Sequence, residues 1–167
     1  MRYFFSLVFA FMTAIGFAQQ APAKQEPPYK RFPTVPPFEL LQADSTTFTK
    51  AGLKKQATMI MYFSPSCDHC IHQIEDMEKR WKEFSSYQLV LATYQPMEEL
   101  VEFIGKYKMK EQHNIKLGRD TQFMLPGFFV IKSLPYFAVY DKKGDLVTTF
   151  EGNVKVDKLL DALKGKK

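Results

Sequence analysis

Residues Met59–Cys70 read MIMYFSPSCDHC. Thr58–Phe63 is an apolar, β-type run that ends in the turn residues Ser64-Pro65-Ser66. A Cys-x-x-Cys pair follows, and a helical pattern continues from Ile71. This order puts Cys67 at the mouth of a helix and Cys70 one turn inside it. A helix N-terminus carries partial positive charge and free N–H groups, both of which favour a thiolate. Two cysteines three residues apart on a first turn can also close a disulfide with each other. The stretch therefore predicts a thiol–disulfide redox site.

The bulk numbers agree with one folded domain plus extensions. The chain has 167 residues, 46% apolar and 15% aromatic, enough for a real core. The formal charge of +5 is dispersed, with no basic stripe interleaved with aromatics, so nucleic acid is not an expected partner. The only two cysteines sit together, which excludes the spaced pairs of a small disulfide-framework protein.

Upstream of the redox stretch, residues 1–18 carry Arg2, an apolar run from Tyr3 to about Ala14, and small residues Gly16 and Ala18. This pattern predicts a signal peptide cleaved before Gln19, or else an uncleaved membrane anchor; either exports the rest of the chain. No cysteine lies at the cleavage point, so lipid attachment there is not expected. Residues 19–35 are a Pro-rich, disordered leader, read as a spacer, and 36–167 form the domain. Phe38–Leu41 and Thr46–Thr49 read as two strands around an Asp44-Ser45 turn, followed by a polar connection at Lys50–Gln56.

Downstream, Ile71, Ile74, Met77, Trp81 and Phe84 form one apolar stripe, predicting a single helix from Cys67 to about Ser85. Gln88–Tyr94 is a strand, completing a right-handed strand–helix–strand crossover. Pro96 opens a helix bearing Leu100, Val101 and Ile104, and Asn114–Leu117 reads as a short strand. Thr121–Ile131 contains Pro126-Gly127 and reads as a broken helix or loop. Leu134–Tyr140 is a strand with proline near its start, and Leu146–Phe150 returns as a hairpin across Asp141–Asp145. Gly152 and Asn153 break that strand, and Val154–Leu163 is an amphipathic helix.

This α/β order resembles the thioredoxin fold, a central mixed sheet flanked by helices. The match rests on the Phe63–Cys70 junction, on Ser133-Leu134-Pro135, and on the closing hairpin and helix. The N-terminal hairpin extension, and the 64 residues between Cys70 and Pro135, are similar to the extracytoplasmic TlpA/ResA-like branch, with its strand–helix insert before the cis-Pro strand. The resemblance implies a protein thiol–disulfide oxidoreductase with no cofactor beyond the Cys67–Cys70 couple. It implies that Leu134 and Pro135 form a cis-proline loop whose Leu134 N–H and C=O pair with an extended substrate. It also implies a periplasmic or other extracytoplasmic location and a membrane redox donor.

Within that framework Cys67 is the expected nucleophile and Cys70 the resolving cysteine. His69, if cationic, favours a Cys67 thiolate and an oxidising couple, while Asp68 opposes it, so both redox directions stay open, with reductase favoured by the resemblance. Three positions depart from the family. Met61 and Gln73 stand where relatives tend to carry an acid near the inner cysteine, and Ser66 replaces the usual aromatic before Cys67. The alternative is a copper- or zinc-carrying protein using Cys67, His69, Cys70 and His72, although His113 is the only other histidine and no second pair completes a tetrahedral set. No metal site is therefore assigned. Ile71 follows Cys70 where haem attachment needs histidine.

Overall fold

The computed structural model describes residues 26–165. The expected signal segment lies outside the described residues. Seven strands form one sheet: β1 (Glu39–Leu41), β2 (Thr47–Thr49), β3 (Thr58–Tyr62), β4 (Gln88–Thr93), β5 (Ile115–Arg119), β6 (Tyr136–Tyr140) and β7 (Leu146–Glu151). Their spatial order is β2-β1-β5-β4-β3-β6-β7. β3 pairs parallel with β4 and antiparallel with β6, β4 and β5 are parallel, and the two outer hairpins are antiparallel. This is the thioredoxin-like mixed sheet with an N-terminal hairpin, as the sequence implied.

Side-chain alternation explains why both faces are covered. Met59 and Met61 of β3 enter one core with Leu89, Leu91, Phe137 and Val139. Ile60 and Tyr62 enter the other with Val90, Ala92, Ala138 and Tyr140. A central strand buried on both faces reads as a continuous apolar run, which is how Thr58–Phe63 appears in the sequence. Six helices dress the sheet: α1 (Pro28–Arg31), α2 (Asp68–Glu78), α3 (Trp81–Phe84), α4 (Met97–Lys106), α5 (Met124–Phe129) and α6 (Val156–Leu163). The strand–helix insert comprises α4 and β5, which places β5 between β4 and the N-terminal hairpin.

Three expectations are corrected. The helix predicted from Cys67 to Ser85 breaks at Lys79-Arg80, and the chain restarts as α3. Arg80 leaves helical geometry (φ −133°), and its guanidinium bonds both Glu83 oxygens and, at 2.7 Å, Asp157 of α6. That last tie spans 77 residues, so no local pattern announces it.

The Pro-rich leader is not a free spacer over its described part. Tyr29 of α1 packs on Phe129, with ring centroids 6.0 Å apart. Leu146 N–H donates to the Pro33 carbonyl (2.8 Å) and Val35 N–H to the Gly144 carbonyl (3.1 Å). Proline cannot donate, but the Pro33 carbonyl accepts the Leu146 N–H, and the Val35 N–H supplies a donor to the hairpin's Gly144 carbonyl.

Pro126-Gly127 does not break the chain into a loop. Pro126 falls in the first turn of α5, where a missing N–H costs nothing. The free N–H groups of Met124 and Leu125 there go to the buried Asp120 carboxylate, at 3.1 and 2.9 Å.

The hairpin meets the sheet at Gly118. A Cβ there would lie 2.7 Å from Leu40 Cβ and 3.1 Å from the Leu41 carbonyl. The close approach of two backbones, not an unusual dihedral, requires this glycine. Gly118→Ala is expected to lower unfolding free energy by about 1–3 kcal/mol, read by guanidinium denaturation, and to expose the hairpin at Glu39–Thr49 to limited proteolysis.

Candidate active site

The register of β3 against β6 brings the two halves of the site together. Tyr62 pairs with Tyr136, so the Phe63–Cys67 turn leaving β3 stands beside the Leu134-Pro135 loop entering β6. The Leu134-Pro135 peptide is cis. Leu134 is half-buried and Pro135 buried. Among the described residues, the Leu134 backbone N–H and C=O have no hydrogen-bond partner.

Ser64–Cys67 forms the turn. Cys67 N–H donates to the Ser64 carbonyl (3.2 Å), and the buried Ser64 hydroxyl contacts Ser66 Oγ (3.1 Å) and accepts from Gln95 Nε2 (3.2 Å). Cys67 is the N-cap of α2 and half-exposed, with extended backbone. Its carbonyl accepts the Ile71 N–H at 2.9 Å, starting the helix. Asp68 and His69 are both exposed, and Asp68 lies in the acid-favouring first turn.

Cys70 is fully buried between Met61, Phe63 and Ile74 in the core. Both cysteines are free thiols, close to each other at the start of α2. Burial pushes the Cys70 thiol up to about 12; the Ser64 backbone N–H offsets part of this, and the Cys67 thiol adds to it. One sulfur is thus partly open to solvent, while its mate is buried and favours the protonated form.

The missing acid has a structural account. Gln73 is buried, and its amide brackets the backbone N–H and C=O of one residue, Val154. Oε1 accepts the Val154 N–H at 2.7 Å, and Nε2 donates to the Val154 carbonyl at 3.1 Å. A carboxylate could take the first bond but not make the second. Glu75 does not replace the acid beneath the sulfurs; it lies on the helix surface, 3.5 Å from the Tyr107 hydroxyl and 3.8 Å from His72 Nδ1.

Asn153 is the residue that sequence reading passed over. It read as a strand breaker, yet its Nδ2 donates to the His69 carbonyl at 2.7 Å, across 84 residues. The Gly-Asn pair between a strand and a helix was the one available signal, since glycine there marks a backbone turn that lets the next side chain reach elsewhere.

Two recesses flank the cysteines. One, of about 480 Å³, lies between Pro65-Ser66 and the Glu99, Glu102 and Phe103 side of α4. The other, of about 260 Å³, lies between Tyr62, Tyr94, Phe123 and Leu134. Among the described residues no three His, Cys, Asp or Glu side chains converge on a point. His113 lies in a separate recess with Asp44 and Lys116.

Residues 33–158 match the AhpC/TSA family, and the chain belongs to it. Its fold is thioredoxin-like, with the Cys-x-x-Cys junction set beside a cis-proline loop. None of the curated proteins matches the sequence significantly. Among solved structures, the exposed lipoprotein thioredoxin of Streptococcus pneumoniae is 24% identical, covering 77% of this chain and 98% of its own, with a TM-score of 0.61. A thioredoxin-family thiol:disulfide interchange protein of Chlorobium tepidum is 19% identical over 85% and 97%, with a TM-score of 0.65. A secreted disulfide oxidoreductase of Mycobacterium tuberculosis is 15% identical over 76% and 94%, with a TM-score of 0.64. At these identities the likeness is one of fold.

The raised Cys70 thiol makes stability pH-dependent in the dithiol form. Below pH 9.0, its ordinary value, the thiol is protonated folded and unfolded alike; between there and about 12 only the unfolded chain ionises. Stability therefore falls as pH rises through that window. The melting temperature of the reduced protein should drop more steeply between pH 8.5 and 10.5 than that of the oxidised protein, which has no thiol to ionise; parallel curves would contradict this.

Proposed function

We propose that this is an exported thiol–disulfide oxidoreductase that reduces disulfides in protein substrates and is itself re-reduced by a membrane donor. The observation that carries the reading is the asymmetry of the pair: Cys67 half-exposed at a helix mouth, Cys70 fully buried behind it. In the forward cycle Cys67, as thiolate, attacks one sulfur of a substrate disulfide. That S–S bond breaks, and the first substrate thiolate leaves and takes up a proton. Cys70 then gives up its proton and attacks Cys67 Sγ in the mixed disulfide. The Cys67–Cys70 bond forms, and the second substrate thiolate departs. Two electrons pass from the dithiol to the substrate, and the donor must return two.

The unpartnered Leu134 backbone beside Cys67 suits an extended substrate segment, which would supply the missing acceptor and donor. Exposed His69 and Asp68 tune the rim. The reductase direction rests on the TlpA/ResA-like resemblance. Export rests on residues 1–18, and it agrees with relatives of the same fold described as secreted and as an exposed lipoprotein.

Insulin reduction in dithiothreitol tests the reading. Wild type is expected to turn over, and Cys67→Ser to lose at least about 100-fold in rate. Cys70→Ser should accumulate a mixed disulfide visible on a non-reducing gel. A potential for the couple at or below about −230 mV supports the reductase direction, and one near −120 mV reverses it. Equal rates for wild type and Cys67→Ser would exclude catalysis. Stoichiometric copper(I) or zinc binding by reduced protein that turns over no insulin would favour a metal carrier instead.

A further inference from the structure

The tripeptide Gly152-Asn153-Val154, between β7 and α6, touches both halves of the site. Gly152 N–H donates to the Pro135 carbonyl at 2.8 Å. Asn153 Nδ2 donates to the carbonyl of His69, the residue between the cysteines, at 2.7 Å. Val154 exchanges two bonds with buried Gln73, one turn further along α2. Gly152 sits in the left-handed region (φ 74°) with nothing within 4 Å of a would-be Cβ, so conformation rather than space demands glycine. That dihedral turns the chain out of β7 so that the next two residues face α2.

We propose that Asn153, with Gly152 and the Gln73–Val154 pair, acts as a positioning strap that holds the first turn of the cysteine helix at a set distance from the Leu134-Pro135 loop. The inference rests on the exchange reaction proposed above and says what that reaction requires. A protein substrate must lie along Leu134 while its sulfur meets Cys67 in line, and errors of an ångström in such alignment cost orders of magnitude. No other hydrogen bond among the described residues joins the His69 carbonyl to a side chain from outside α2. The Asn153 side chain is exposed and its removal leaves no core cavity, so its effect is separable from folding. A small disulfide that needs only Cys67 does not use the loop and should not sense the strap.

Asn153→Ala removes the donor, and Asn153→Asp keeps the shape but places an acceptor against the His69 carbonyl. Both variants are compared with wild type, kcat and KM separately, on insulin and on the small aromatic disulfide 5,5′-dithiobis(2-nitrobenzoate). The expected result is a fall on the order of tenfold in kcat/KM for insulin, with the small-disulfide rate within about twofold of wild type. An unchanged insulin rate overturns the strap. Parallel losses on both substrates also overturn it, because they assign Asn153 to sulfur reactivity or folding. Wild type that fails on insulin is a different outcome: it removes the exchange reaction itself, and the strap with it.

Discussion

Everything at the site depends on one register, Tyr62 of β3 opposite Tyr136 of β6. The cysteine turn begins at the residue after Tyr62, and the proline loop ends at the residue before Tyr136. Antiparallel pairing therefore sets the two loops side by side. A slip of one residue would also turn Met59 and Met61 to the wrong face of the sheet. With β3 fully buried on both faces, that slip exchanges the contents of two cores at once. Hydrophobic packing along five residues thus holds the geometry on which sulfur chemistry relies.

Beyond that register, the environment separates two chemically identical side chains. Cys67 ends an extended segment and begins a helix, so its sulfur stays at the surface. Cys70 falls on the same helix face as Ile74 and Met77, the face that packs on β3. Burial is the largest cause that raises its thiol, and Cys67 adds to it. The difference in exposure between the two sulfurs follows from helix periodicity.

The same face carries a polar exception. Gln73, between Cys70 and Ile74 in the run of buried positions, would cost about 1–3 kcal/mol if its amide were left unpaired. The Val154 backbone N–H and C=O satisfy both ends of it. A position that could have held a proton acceptor serves here to fasten α2 to the loop before α6. Arg80 and the Pro33 carbonyl make comparable long-range ties at the break after α2 and at the β6–β7 hairpin.

Sequence alone determined what depends on neighbours along the chain. The buried strand at Thr58–Phe63, the Cys-x-x-Cys helix start, the β6–β7 hairpin and the last amphipathic helix are periodic or punctuated patterns. Each declares itself within about ten residues. Tertiary structure alone decided what depends on partners far along the chain. The helix break at Arg80, the docking of residues 28–35 and the reach of Asn153 to His69 all turn on single polar groups. Such groups find their partners only after the sheet has assembled. A hydrogen bond across 84 residues leaves no periodic trace, because it constrains one donor and one acceptor rather than a face.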